Sequence, residues 1–322
     1  MKAAIVTAPN KTPIYADFPD PTPKEGEQLI RVRAAALSNL TRSRASGAHY
    51  SSAGIFPAIA GTDGVGLTPD NRRVYFAMPE TPYGSLAQLC PIATRRTIPI
   101  PDALDDVTAA AIANPCMSAW GSLVERARLV AGETVLINGA TGTSGRVAIQ
   151  LAKYLGAAKV IATGRNPAEL ETLKQIGADE VIPFALDASN GSADFQAALQ
   201  QTFATGIDIV IDYLWGQSAL TILTALAKSI DDHPVRFVQV GGAGGEMSIN
   251  LPAALLRSSA ISLMGSGIGS LSREALAQSI RSTFEAVAPA HLTIATQTAP
   301  LSQVETVWQT STGKPRAVFT ID

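Results

Sequence analysis

The chain has 322 residues, with 25 Lys and Arg against 27 Asp and Glu for a net charge of −2. A chain of this length has room for about two domains with cores of their own, and its near-neutral balance leaves no electrostatic footprint for nucleic acid or an anionic membrane. Two cysteines, Cys90 and Cys116, are too few for a disulfide framework or a four-thiolate zinc site and fit a reducing, cytoplasmic compartment. The apolar run 3–6 is too short for a secretory or membrane segment, and no run elsewhere approaches ~18 residues.

In chain order, residues 1–101 hold short β-prone runs at 3–7, 28–32, 73–76 and 85–89. Pro and Gly clusters such as Phe18-Pro19-Asp20-Pro21-Thr22-Pro23 separate them, so an irregular β domain is expected. Asp105 and Asp106 can cap a helix over 107–113 that Pro115 stops, and a second helix follows over 118–129. Six apolar strands come next, at 134–138, 160–163, 180–184, 207–212, 236–240 and 261–265. Helical spacers at 144–155, 167–176, 194–203, 217–228 and 252–257 alternate with them. That alternation predicts an α/β fold: a doubly wound parallel sheet of six strands covered on both faces. The tail, a helix at 272–287 and strands at 292–298 and 317–321, is expected to return to the first domain. The expected divisions are 1–115, 116–267 and 268–322.

Between the strand at 134–138 and the next helix lies Gly139-Ala140-Thr141-Gly142-Thr143-Ser144-Gly145. Such glycines let backbone N–H groups approach a pyrophosphate at the positive end of a helix. The spacing is G-x-x-G-x-x-G, and a plain strand-to-helix turn would also explain it. A preceding strand, a following helix and a second strand on schedule favour a dinucleotide site. An NAD fold usually carries an acid about 20 residues after the loop. Here the second strand ends in Thr163-Gly164-Arg165-Asn166, with no acid and with an arginine suited to a 2′-phosphate. NADPH is therefore the expected cofactor, although a solvated Arg165 is the plain alternative.

The stretch 131–142, continuing into Ala148-Ile149-Gln150-Leu151-Ala152-Lys153 and Gly177-Ala178-Asp179, resembles the medium-chain dehydrogenase/reductase superfamily. Lys2-Ala3-Ala4, Gly61-Thr62-Asp63-Gly64-Val65-Gly66 and Gly313-Lys314 extend the likeness over the chain, which looks most like the zinc-independent quinone oxidoreductase branch. The resemblance implies a GroES-like β-rich domain, split in sequence, for the substrate and a Rossmann domain for NADPH. It also implies a homodimer formed by pairing of the strand at 261–265. Ser38, Thr62 and Asn114 stand at the columns of the catalytic zinc ligands of related alcohol dehydrogenases, and all three are poor zinc ligands. His49, His233 and His291 fall elsewhere, so no metal is expected. The branch usually shows an Asn, an Asp, an Arg–x–Gly and a Tyr in its first segment. Here Ser38 takes the Asn column beside Asn39, Thr41 replaces the Asp and Tyr50 sits one place late, as in a divergent subfamily.

Without a metal, a carbonyl oxygen must be polarised by hydrogen-bond donors, which suits quinones and α,β-unsaturated carbonyls better than simple ketones. Tyr50, Asn114 and Asn39 are the candidate catalytic donors. Each has an ordinary alternative: a surface tyrosine, a helix cap and a turn residue. His49 could protonate an enolate, but a lone loop histidine is usually just solvated. Candidate cofactor contacts are Gly139, Thr141, Gly142, Thr143, Ser144, Gly145, Gly164, Arg165 and Asn166. Tyr213, Gly241, Gly242, Ser266 and Gly267, at later strand ends, complete the set. The leading expectation is an NADPH-dependent reductase of a small quinone or enone. The other is an NADPH-binding sensor or structural protein with little turnover.

Overall fold

The computed structural model describes residues 1–230 and 232–322. The chain forms two compact units. The first is Met1–Asn114 with Ile280–Glu285 and Thr293–Asp322; the second is Pro115–Ser279 with Ala286–Leu292.

The second unit holds a six-stranded, wholly parallel sheet. Its spatial order is Glu180–Pro183, Lys159–Gly164, Thr134–Asn138, Ile209–Asp212, Val235–Gln239, Ile261–Gly265. The first strand in sequence lies third in space, so the order reverses between Thr134–Asn138 and Ile209–Asp212. Ligands of open parallel sheets bind outside the carboxyl ends at such a reversal. The strands are runs of Val, Ile and Leu because both faces are covered, and Leu136, Ile161, Val210 and Phe237 are buried in one core. The helices Thr143–Tyr154, Gly191–Phe203 and Gly216–Ser229 supply the covering residues, including Phe195, Leu199, Ile222 and Leu226.

Two expectations fail around Pro115. The helix Asp106–Trp120 runs through it and continues as a π-helical turn, Gly121–Arg126. No break separates two helices. Proline in a helix interior costs about 3 kcal/mol. Ala109, Ala110, Ala111, Ile112, Ala113, Cys116, Ala119 and Leu123 are all fully buried along this rod, and that burial outweighs the cost. Residues 268–279, grouped with the first domain from sequence, belong to the second unit. A tight turn in which Ser270 Oγ accepts from Gly267 N at 2.7 Å holds the chain there. The side chain of Leu271 fills the space beside Gly121, where a Cβ would meet it at 2.7 Å.

The first unit is built on a mainly antiparallel sheet of seven strands. Thr296–Pro300, Arg316–Thr320, Glu27–Ala36, Asp63–Leu67, Arg73–Ala77 and Thr97–Pro99 follow one another, and Leu89–Ala93 also pairs with Glu27–Ala36. A smaller sheet orders Ile14–Asp17, Lys2–Val6 and Ala58–Ile59. The run expected at 85–89 is mostly loop, because the ladder to Glu27–Ala36 starts only at Leu89. The strand expected at 292–298 forms at Thr296–Pro300, in register with Arg316–Thr320. The antiparallel pairing of Arg316–Thr320 with Glu27–Ala36 brings the end of the chain into the first unit. Among the described residues no helix is long and apolar enough to cross a membrane.

Candidate functional site

In the second unit the loop after Thr134–Asn138 divides its three glycines by task. Gly139 adopts φ +80°, the left-handed region that a tight turn demands of glycine. Gly145 lies where a Cβ would stand 2.6 Å from Ala140 Cα, so its missing side chain lets helix Thr143–Tyr154 close onto the loop. Gly142 is the N-cap of that helix, at φ −70° and ψ 164°, and a Cβ there would meet nothing nearer than 3.5 Å. A cap without a side chain leaves the helix end open to an outside acceptor where the dipole favours an anion. Thr141, Thr143 and Ser144 are half-buried around it. Arg146, which the glycine spacing does not single out, donates from Nε to the Thr141 carbonyl at 3.3 Å and from a terminal nitrogen to Thr172 Oγ1 at 3.2 Å. The loop, the open cap and the packed third glycine fit a pyrophosphate.

Beneath the loop, the carboxyl ends of three adjacent strands are tied by buried polar side chains. Thr163 donates to Asn138 Oδ1 at 2.7 Å, and Asn138 Nδ2 donates to Asp212 Oδ1 at 2.8 Å and Ser218 Oγ at 3.0 Å. Asp212 also accepts from the amides of Leu214 and Trp215, both at 3.1 Å. These bonds do not offset its desolvation, and burial raises its carboxyl to about 6. Trp215 is held at φ +61°, a strained conformation for tryptophan, as the chain turns into helix Gly216–Ser229. Nothing in the apolar pattern assigns Asn138 and Asp212 a role. Their signal is two polar residues ending strands that neighbour each other at the reversal.

With an unfolded pKa of ~3.9 and a folded value of about 6, Asp212 binds its proton more tightly in the native state. Its contribution to stability is complete below pH ~4 and is lost as pH rises through about 6, a change of about 2–3 kcal/mol. Denaturant unfolding of Asp212→Asn beside the parent should show this slope in the parent only. Parallel pH profiles would refute the assignment.

The other candidates of this unit are placed unevenly. Gly164 closes the second strand against the loop, with a Cβ position 3.1 Å from Thr141 Cγ2. Arg165 follows, exposed and without a hydrogen bond or ion pair to the described residues. Asn166 is engaged in capping helix Pro167–Thr172, its side chain accepting from Ala168 N and Glu169 N. Tyr213 does not open to solvent. Its hydroxyl is buried beside Ser118 and Ser122 without a well-formed hydrogen bond, and burial pushes its pKa up. Gly241 packs on the Tyr213 carbonyl, where a Cβ would lie at 3.0 Å, and Gly242 faces the sulfur of the exposed Met247. The amides of Ser266 and Gly267 are already given to Gln239 O at 2.8 Å and Ser270 Oγ at 2.7 Å.

In the first unit, the expected donors do not converge. Tyr50 is 72% exposed, its ring 4.1 Å from that of His49. The His49 pKa is lowered by burial and by Arg44. Asn39 is exposed on the first turn of helix Asn39–Ala45, and Asn114 is half-buried in helix Asp106–Trp120. The buried polar groups are different ones. Ser38 caps helix Asn39–Ala45 by accepting from Thr41 N, and it donates to Thr41 Oγ1 at 3.0 Å. Thr41 Oγ1 lies 3.1 Å from Thr62 Oγ1, and Thr62 donates to Asp63 Oδ1 at 2.6 Å. Tyr75 donates to Asp63 Oδ2 at 3.1 Å. Thr41 and Thr62 line a cavity of about 50 Å³ with Arg44, Phe56 and Tyr83. Asp63 lies within the Gly61–Gly66 motif, whose sequence alone gives it no role. Burial raises its carboxyl above the ordinary range, against the bonds from Thr62 and Tyr75 and the charge of Arg316. Among the described residues, no three His, Cys, Asp or Glu side chains gather as a metal centre would require.

Comparison with known proteins agrees with this geometry. A family model described as zinc-binding dehydrogenase matches residues 145–285, a segment that excludes Ser38, Thr62 and Asn114. A probable NADPH-dependent quinone reductase of Emericella nidulans is 29% identical over 96% of each chain. A component of the phenolphthiocerol/phthiocerol polyketide synthase of Mycobacterium tuberculosis is 31% identical over 74% of this chain, which spans only 11% of that synthase. Among solved structures, the quinone oxidoreductase of Thermus thermophilus, also determined in complex with NADPH, superposes with a TM-score of 0.81 at 23% identity, over 99% of this chain and 100% of that one. A mycobacterial quinone oxidoreductase gives a TM-score of 0.84 at 21% identity, over 99% of both chains.

Proposed function

The chain belongs to the medium-chain dehydrogenase/reductase superfamily, on its quinone oxidoreductase-like branch, and from that premise we propose an NADPH-dependent, metal-independent reductase of a quinone or another α,β-unsaturated carbonyl. The observation that carries the reading is the second unit's Gly139–Gly145 loop on an open helix N-terminus, followed by a strand end with Arg165 and no acid. In this reading the second unit holds the cofactor and the first takes the substrate. Bound NADPH supplies a hydride. The loop amides would hold its pyrophosphate and Arg165 its 2′-phosphate.

Metal independence rests on the donor set. Ser38, Thr41 and Thr62 spend their hydroxyls on one another and on Asp63, and neutral hydroxyls are poor zinc ligands. Hydroxyl donors can stabilise an oxygen over which charge is spread, as in a conjugated acceptor, more readily than the localised charge of a reduced simple ketone. The outer edge of strand Ile261–Gly265 has no partner strand among the described residues, which supports pairing of two copies along it. The test is NADPH oxidation with 1,4-naphthoquinone, cyclohexenone and a saturated aldehyde. Turnover confined to the conjugated acceptors is expected. Preference for the aldehyde would refute the reading. The exposure of Tyr50 and Asn39 favours a second reading, an NADPH-binding protein with little turnover, and tight binding without turnover of any acceptor would establish it.

A further inference from the structure

Reducing a conjugated acceptor takes up one hydride and one proton, and Tyr50, first expected as a donor to the substrate, faces solvent. A different proton path is built into the first unit. Two threonines that line its cavity, Thr41 and Thr62, form through their hydroxyls an unbroken hydrogen-bonded line to the fully interior carboxyl of Asp63, with spacings of 3.1 and 2.6 Å. We propose that Asp63 is the proton source of the reduction and that Thr62 and Thr41 carry its proton to a substrate oxygen that enters this cavity. This rests on the reductase reading given above.

The line has a sense of direction. With Asp63 ionised, Thr62 donates to it and Thr41, accepting from Ser38, donates to Thr62; protonation of Asp63 reverses the last two bonds and frees the Thr41 proton for a substrate. With Asp63 protonated, its O–H bonds to Thr62 Oγ1, the Thr62 O–H to Thr41 Oγ1, and the Thr41 O–H to the substrate oxygen. Transfer breaks these three O–H bonds and forms three, leaving the substrate protonated, both threonines neutral and Asp63 as carboxylate. No electrons move along the path. Asp63 regains its proton from solvent through the same hydroxyls after product leaves. Asp63 and Thr62 act through Thr41, so neither touches the substrate.

The surroundings favour a carboxyl that can hold a proton. Burial raises its pKa, and the groups facing it are Tyr75 on strand Arg73–Ala77, Thr62, and the buried Arg316 on strand Arg316–Thr320. Tyr75 donates to the second carboxyl oxygen, leaving the one bonded to Thr62 for transfer. Arg316 opposes protonation without cancelling the effect of burial. A purely structural carboxylate needs hydrogen-bond donors, but it does not need an unbroken hydroxyl path to a cavity.

The test compares Thr62→Val with Thr62→Ser, in single turnovers of NADPH and 1,4-naphthoquinone. Removing general-acid assistance is expected to slow Thr62→Val by about 100-fold with KM and the NADPH Kd within about twofold, and Thr62→Ser should recover most of the rate. The parent rate should fall as pH rises through the Asp63 titration, and Asp63→Asn should lose that limb. Independently of turnover, ¹³C-carboxyl NMR of the cofactor-free protein should show, beside Asp212, a second aspartate titrating above the ordinary range whose signal is lost in Asp63→Asn. That signal should move in Thr62→Val. Parent-like rate and pH profile in Thr62→Val would overturn the relay while leaving the reductase reading intact. An Asp63 signal titrating below the ordinary range would overturn it even if Thr62→Val failed to fold. A parent protein inert toward every acceptor would overturn the reductase reading and the relay together.

Discussion

Gly145→Ala should cost more than any other single methyl added to the nucleotide loop. The new Cβ would stand 2.6 Å from both Ala140 Cα and Gly139 O, which are backbone atoms that cannot rotate away. Overpacking of this kind costs about 1–3 kcal/mol, and here the strain also moves the helix N-terminus off the loop it serves. The melting temperature should fall, and NADPH affinity should fall at least tenfold. Gly142→Ala is the matched control, because its Cβ has room and its φ of −70° suits alanine. It should leave the melting temperature unchanged within about a degree and still weaken NADPH, since the methyl would occupy the approach to the helix end. Thermal melts and fluorescence titrations of the two variants separate packing from binding. Equal destabilisation of both would contradict the division of labour among these glycines.

The second large effect is on cofactor choice. Arg165 is exposed and makes no bond to the described residues, so Arg165→Ala should leave stability within about 0.5 kcal/mol. Its expected partner is the 2′-phosphate, and a charge-assisted contact of about 1.5–3 kcal/mol corresponds to a ten- to hundredfold loss of NADPH affinity. NADH affinity should not change. Calorimetric titration of both cofactors checks this, and equal weakening of both would remove Arg165 from the specificity role. Arg146, anchored to Thr141 and Thr172, cannot stand in without giving up those bonds.

The parallel sheet was legible in the sequence because its signal is local. Each strand is a short run of Val, Ile and Leu, each helix has its own period, and all six strands formed within two residues of their expected ends. The glycine turn was legible for the same reason, since three glycines at fixed spacing between a strand and a helix describe one turn. Pro115 misled because its local effect, a lost N–H, is smaller than the burial gained along the Asp106–Trp120 helix. The polar interior was least legible. Asp63 reaches Tyr75 across a strand pair, and Thr62 beside it meets Thr41 from a separate helix, while Asn138 meets Asp212 only because strands 74 positions apart are neighbours. Such contacts depend on sheet order, which no window of sequence contains. Tyr50 and Asn39 stand out in the sequence as polar residues in a loop, and burial, which sequence does not give, assigns the interior to Ser38, Thr41 and Thr62 instead.

The most direct measurement of the central claim is oxidation of NADPH and NADH, side by side, by protein dialysed against a strong chelator, with 1,4-naphthoquinone as acceptor. Quinone-dependent turnover should survive the chelator, with a kcat/KM for NADPH at least tenfold above that for NADH. Activity lost with the chelator and restored by zinc, or a preference for NADH, would contradict that claim.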